Sequence, residues 1–220
     1  MTSLRPAAVL WDMDGTLVDT EPYWMVAEGE LVSSFGGTWT DEDALQLVGS
    51  GLWHSARILQ AKGVALTEDE IIEQLTTRVL EQVTVEVPWR PGARELLFEL
   101  HELGVPTALV TMSIRRMAEH IAASIGFDGF AAIIGGDDVE HSKPHPQPYL
   151  VGAQALGVSA SDCVALEDSA PGVASAVAAG AVVIAVPMHV PLIDDPAYDL
   201  HDMSGLTAAD LFDIYASRRA

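Results

Sequence analysis

The sequence predicts an α/β fold, a Rossmann-like parallel sheet with helices on both faces, interrupted by an inserted α-helical domain. Short apolar or β-branched runs fall at residues 7–11, 105–110, 131–134, 163–166 and 182–186. Runs of this length bounded by turn residues suit strands buried on both faces. From residue 92 onward they alternate with helical patterns at 93–103, 115–125, 148–156 and 171–179, each closed by a nearby glycine. Strand and helix in alternation build right-handed βαβ crossovers and hence a parallel sheet. Residues 20–88 break the alternation, with helical periodicity at 27–35, 43–48, 52–61 and 68–83 and no buried strand. Loop chemistry at Glu21-Pro22 and at Pro88-Trp89-Arg90-Pro91-Gly92 marks two linkers. The expected division is 1–19 with 89–220 for the core and 20–88 for the insertion.

Composition narrows what such a fold can do. The 220 residues include 32 acidic and 11 basic side chains, a formal net charge of -21. Nucleic acid and anionic membranes are therefore poor partners. At 49% hydrophobic and 20% charged the chain can bury a sizeable core. The single cysteine, Cys163, sits in an apolar run and offers neither a disulfide framework nor a thiolate cluster for zinc. Its expected role is that of a buried small hydrophobe. Before Asp12 only residues 6–11 are apolar, too short for the core of an export signal, so a cytoplasmic monomer is expected. The uncharged run at 169–188 has membrane-spanning length, but Pro171, Gly172, Gly180 and Pro187 divide it into a helix and a strand.

In open parallel sheets ligands bind beyond the carboxyl ends of the strands. Four segments there carry reactive groups: Asp12-Met13-Asp14-Gly15-Thr16, Thr111-Met112-Ser113, Ser142-Lys143-Pro144 and Glu167-Asp168-Ser169. An Asp-x-Asp before glycine is by itself more often a solvated turn than a site. All four, in this order and over essentially the whole chain, resemble the haloacid dehalogenase-like superfamily of phosphotransferases. Within it the pattern is similar to the phosphoglycolate phosphatase and β-phosphoglucomutase group, and the insertion looks like that group's small helical cap.

The resemblance implies Asp12 as the nucleophile that forms an aspartyl-phosphate, and Asp14 as the acid that protonates the leaving oxygen and then deprotonates water. It implies Mg²⁺ held by Asp12, Asp168 and the backbone carbonyl of Asp14, with Glu167 beside the ion or one water removed. Lys143 would bridge the nucleophile and a phosphoryl oxygen, while Thr111, Met112 and the amides around Met13 and Asp14 would donate to the transferring group. Charge arithmetic agrees that a cation is needed: Asp12, Asp14, Glu167, Asp168 and a phosphate dianion face only Lys143. Each like-charged pair at about 4 Å and an effective dielectric of roughly 20 is opposed by about 4 kcal/mol.

Plainer roles exist for several of these residues. Asp168-Ser169 before Pro171 also fits a helix N-cap, Thr111 a strand-end cap and Lys143 an exposed loop charge, although it is one of only two lysines in the chain. His141 and His145 flank Lys143 without metal-ligand spacing and are expected to be structural or solvent-facing.

The resemblance places leaving-group selection in the insertion. There the candidates are Trp24, Ser50 in the Gly49-Ser50-Gly51 turn, Trp53 and Arg57, with cap core an equally good reading of each tryptophan. The mutase pattern looks for histidine at Trp24 and a basic residue after the cap-loop glycine, and this sequence has neither. Phosphonate hydrolysis needs a cap lysine in the cleft, but the one cap lysine, Lys62, sits at a helix end beside Gly63. Dehalogenases lack the acid matched by Asp14. What remains is a Mg²⁺-dependent phosphomonoester hydrolase acting on a small sugar or polyol phosphate. A phosphomutase and a non-catalytic module on the same fold are the alternatives. Isomerised product would identify the mutase, and retention of Asp12, Asp14, Lys143 and Asp168 opposes the module.

Overall fold

A computed structural model describes residues 4–220. Six strands, β1 (Ala8–Trp11), β2 (Thr107–Val110), β3 (Ala132–Ile134), β4 (Cys163–Glu167), β5 (Val182–Ala185) and β6 (Tyr198–Leu200), form one sheet in the order β3-β2-β1-β4-β5-β6. Every neighbouring pair is parallel. Beyond β1 the chain forms α1 (Glu21–Ser34), α2 (Asp41–Leu45), α3 (Leu52–Ala61) and α4 (Glu68–Val85) before it returns to the sheet. The core helices are α5 (Ala93–Glu102), α6 (Arg115–Ala123), α7 (Gln147–Ala155), α8 (Ala170–Ala178) and α9 (Ala208–Arg219).

Alternation along β1 distributes the core between two layers. Val9 and Trp11 join the cluster that contains Leu97 of α5, Met117 of α6 and Leu211 of α9. Ala8 and Leu10 join the cluster with Tyr149 and Ala153 of α7 and Val173 and Ala176 of α8. In the insertion α4 packs against α1 and α3, burying Ile71, Leu75 and Val79 together with Leu31 and Leu59.

Two features depart from the sequence expectation, the start of the first cap helix and the elements after β5. The first cap helix begins at Glu21 instead of residue 27, because Pro22 occupies its first turn, where a missing N–H leaves no bond unmade. β6 and α9 lie beyond the last expected strand. β6 is a three-residue edge strand with a central aspartate, too short to stand out as a periodic run, whereas α9 is announced by a reciprocal Thr207–Asp210 capping box. Residues 169–188 resolve into α8 and β5, and among the described residues no helix is long and apolar enough to cross a membrane.

The two linkers run antiparallel beside each other, Asp19 N donating to Pro88 O at 2.7 Å and Arg90 N to Leu17 O at 3.1 Å. Arg90 then ties them to the sheet. Its buried guanidinium donates to the carbonyls of Gly15 (2.5 Å), Val186 and Pro187 (3.1 Å). Those carbonyls belong to the loop after β1 and the exit of β5. Arg90→Ala leaves them without donors, so a loss of about 3 kcal/mol of unfolding free energy is expected in urea titration. A loss within error of zero would show that these bonds are dispensable.

Candidate active site

The strand order reverses between β1 and β4, and the acidic residues gather at that switch point. Register pairs Trp11 with Leu166, and Asp12 N donates to Leu166 O at 3.1 Å, so Asp12 and Glu167 leave the sheet side by side. Lys143 reaches between them from the loop before α7. Its Nζ donates to Asp12 Oδ1 at 2.6 Å, Glu167 Oε1 at 2.6 Å and Val110 O at 3.0 Å. All three side chains are buried. Burial opposes the Lys143 ammonium, but the Asp12 and Glu167 carboxylates outweigh it and raise its pKa. Burial, and then the Glu167 charge, push Asp12 from its ordinary 3.8 up to about 7 against the pull of Lys143.

Glu167 is saturated with donors. Besides Lys143, Tyr149 OH reaches its Oε1 at 2.6 Å, and Asp168 N, Ser169 N and Ser169 Oγ reach Oε2 at 3.2, 3.4 and 3.2 Å. A side chain at Gly172 would fall on this carboxylate, which explains a glycine in the first turn of α8. Asp168 lies against Gly15, whose φ of 83° and close approach both exclude a Cβ. Burial, then Asp12 and Glu167, raise the Asp168 pKa well above its ordinary value. The capping role falls to Ser169, whose Oγ accepts from Gly172 N at 3.3 Å, and not to Asp168.

Carboxylate oxygens of Asp12, Glu167 and Asp168 lie within 4.8 Å of one another. Asp12 Oδ2 is buried with no hydrogen-bond partner. An orphaned anionic oxygen beside two further acids is a donor set that fits a hard divalent cation. The Asp14 side chain stands outside this set.

Asp14 faces the insertion instead, accepting four side-chain hydrogen bonds. Thr20 Oγ1 (2.5 Å) and Trp24 Nε1 (3.1 Å) donate to Oδ1, and Thr111 Oγ1 (3.1 Å) and Ser113 Oγ (2.8 Å) donate to Oδ2. Trp24 thus touches the candidate acid itself, and the Thr111 hydroxyl is engaged with Asp14. Among the described residues the backbone amides of Met13, Asp14 and Met112 donate to no protein group. The Met13 side chain is buried in the core, and Met112 Sδ accepts from Lys143 N.

An inner cavity between core and insertion is lined by Asp12, Asp14, Thr111, Met112 and Lys143 on one side and by Trp24, Ser50 and two acids of α1, Glu21 and Glu28, on the other. Trp53 and Arg57 line an adjoining outer groove that shares Ser50 and Lys143 with the inner cavity. Their polar atoms are engaged there, Trp53 Nε1 with Asp69 at 3.2 Å and Arg57 with Glu68 at 3.0 Å. His141 and His145 are exposed with their rings against each other, and buried Cys163 has its thiol pushed up to about 12 by burial and then Asp162. Sequence reasoning missed Glu21, Glu28, Ser113 and Tyr149. Only Ser113, two residues past Thr111, stood inside a recognised motif.

Residues 6–180 match the sequence model of the haloacid dehalogenase-like hydrolases. The chain belongs to this family. It is 32% identical over 217 residues to hexitol phosphatase B of Escherichia coli (strain K12), covering 93% of this chain and 96% of that one. It superposes with a TM-score of 0.84 on CbbY from Rhodobacter sphaeroides in complex with xylulose-(1,5)-bisphosphate, at 27% identity over 94% of this chain and 99% of that one. A β-phosphoglucomutase from Clostridium difficile gives a TM-score of 0.85 at 21% identity, covering 97% of this chain and 99% of that one, a likeness of fold alone. Within the family this chain is a phosphatase.

Glu28 gives the site a measurable pH signature. Burial raises its pKa from an ordinary 4.5 to about 8, only partly offset by a hydrogen bond from Trp39 Nε1 at 3.2 Å. The folded protein holds this proton more tightly than the unfolded chain, so the contribution to stability is complete below the unfolded value and is lost as pH rises through the folded one. Glu28→Gln carries no such penalty. Its thermal stability relative to the unsubstituted protein should rise steadily from about pH 5 to about pH 8. A difference independent of pH would contradict the assignment.

Proposed function

We propose that the chain is a Mg²⁺-dependent phosphatase that hydrolyses a small sugar or polyol monophosphate through an aspartyl-phosphate on Asp12. The carrying observation is the buried Asp12 carboxylate, one oxygen held by Lys143 and the other without a partner. Attack by Asp12 on phosphorus breaks the bond to the leaving oxygen, which takes a proton from Asp14. Asp14 then removes a proton from water, the water oxygen attacks phosphorus, and the bond to Asp12 breaks to give inorganic phosphate.

The residues supply much of what this sequence needs. Lys143 commits its three N–H groups to Asp12, Glu167 and Val110, so its part is to hold and orient the nucleophile. The amides of Met13, Asp14 and Met112 suit the developing charge on the phosphoryl oxygens. Asp12, Asp168 and the backbone carbonyl of Asp14 would hold Mg²⁺, with Glu167 behind them. The ion supplies the counter-charge that one lysine cannot provide.

The helical insertion serves as a cap that positions the acid, since Thr20 and Trp24 both grip Asp14 Oδ1. An indole N–H donates only, so Trp24 cannot relay a proton from a sugar hydroxyl, and this favours water as the acceptor. The polyol assignment is supported by the likeness to hexitol phosphatase B.

Phosphate release from hexitol and hexose monophosphates should require Mg²⁺ and stop with chelator. Asp12→Asn should lower turnover at least about a thousandfold, roughly 4 kcal/mol of lost barrier reduction. Full turnover in chelator, or isomerised hexose phosphate forming faster than free phosphate, would overturn this reading.

A further inference from the structure

The inner cavity has an unusual charge distribution on its cap side. Glu21 and Glu28 lie seven residues apart on α1, two turns along one face, and both line the cavity while being buried. Glu21 is 8% exposed and its carboxyl has no hydrogen-bond partner among the described residues. Glu28 Oε2 accepts from Trp39, and its other oxygen has no partner among the described residues. Beside them on the cap side stand Ser50 and Ser55, with Leu47 and Leu52 as the apolar complement.

Lys143 is the only cation among the described residues that line this cavity, and its donors are committed to protein. A second phosphate on the leaving group would enter without a counter-ion and beside two carboxyls. An uncharged polyol meets the opposite situation, because its hydroxyls can donate to carboxyl oxygens and its C–H surface can rest on the leucines. Burial also favours the protonated form of both acids, which can donate to a hydroxyl oxygen as well as accept from a hydroxyl hydrogen.

We propose that Glu28, together with Glu21, selects an uncharged, hydroxyl-bearing leaving group and excludes a second phosphate from the inner cavity. This rests on the phosphatase reading above and goes beyond it by naming the residues that choose the substrate.

The test compares kcat/KM of the unsubstituted protein, E28Q and E28A on glucitol 6-phosphate, glucitol 1,6-bisphosphate and p-nitrophenyl phosphate, with Mg²⁺ present. The unsubstituted protein should prefer the monophosphate by at least about tenfold at neutral pH, and that preference should widen severalfold as pH rises through about 8, where Glu28 ionises, but not in E28Q, which keeps the shape and cannot ionise. E28A should raise KM for glucitol 6-phosphate about tenfold through the lost hydroxyl contact, a larger loss than on p-nitrophenyl phosphate, whose leaving group has no hydroxyl to hold beyond the ester oxygen. Equal rates on mono- and bisphosphate by the unsubstituted protein would overturn the inference alone. So would a parallel fall on all three substrates in both variants, the mark of a merely structural residue. No phosphate release from any of the three by the unsubstituted protein would overturn the phosphatase reading and the inference with it.

Discussion

The Lys143 ammonium, shared at 2.6 Å between Asp12 and Glu167, is the interaction on which the site depends. Three buried acids converge at the ends of β1 and β4, where desolvation raises the pKa of both Asp12 and Asp168. One buried cation lets part of that charge exist, and removing it would leave unpaired carboxylates, a change that typically destabilises by about 3–5 kcal/mol. Much of the local structure serves to keep the lysine in place. Val110 O takes its third hydrogen, Tyr149 lies with its ring 5.0 Å from Nζ, and Gly172 leaves room for the carboxylate that holds it. The lysine does not neutralise the cluster, and the unpartnered Asp12 Oδ2 is where the remaining demand for positive charge is concentrated.

Asp12 and Asp14 are two residues apart and belong to different environments. Asp12 is fixed by the sheet and Lys143, whereas Asp14 is gripped by two donors from the loop after β2 and two from the segment that opens the cap. A chain that holds Asp12 from below and Asp14 partly from above makes the second carboxylate sensitive to where the cap sits. The same helix that carries Trp24 also carries Glu21 and Glu28, so the grip on Asp14 and the acidic wall of the inner cavity share one element.

The core was legible in the sequence because its strands are buried on both faces and therefore read as short apolar runs, three of which lead straight into Asp12, Thr111 and Glu167-Asp168. Lys143 lies nine residues beyond the third run, and the four segments together read as a site only through the family resemblance. Glu21 and Glu28 could not be found in this way, since a helix that buries acids beside a cavity loses its apolar stripe, and a carboxylate there reads like a solvated surface charge. Arg90 looked like part of a proline-rich linker, and its buried bonds to three carbonyls depend on chain segments far apart in sequence. For Trp53 and Arg57, helical spacing gives a face but not which of two adjoining cavities that face lines.

Whether Asp12 carries the phosphoryl group is open to direct measurement. Borohydride added during turnover reduces an acyl phosphate to the alcohol, so the account predicts conversion of Asp12 to homoserine, detected by peptide mass spectrometry and dependent on both substrate and Mg²⁺. Sustained phosphate release with Asp12 unmodified, or with the reduction at another carboxylate, would contradict it.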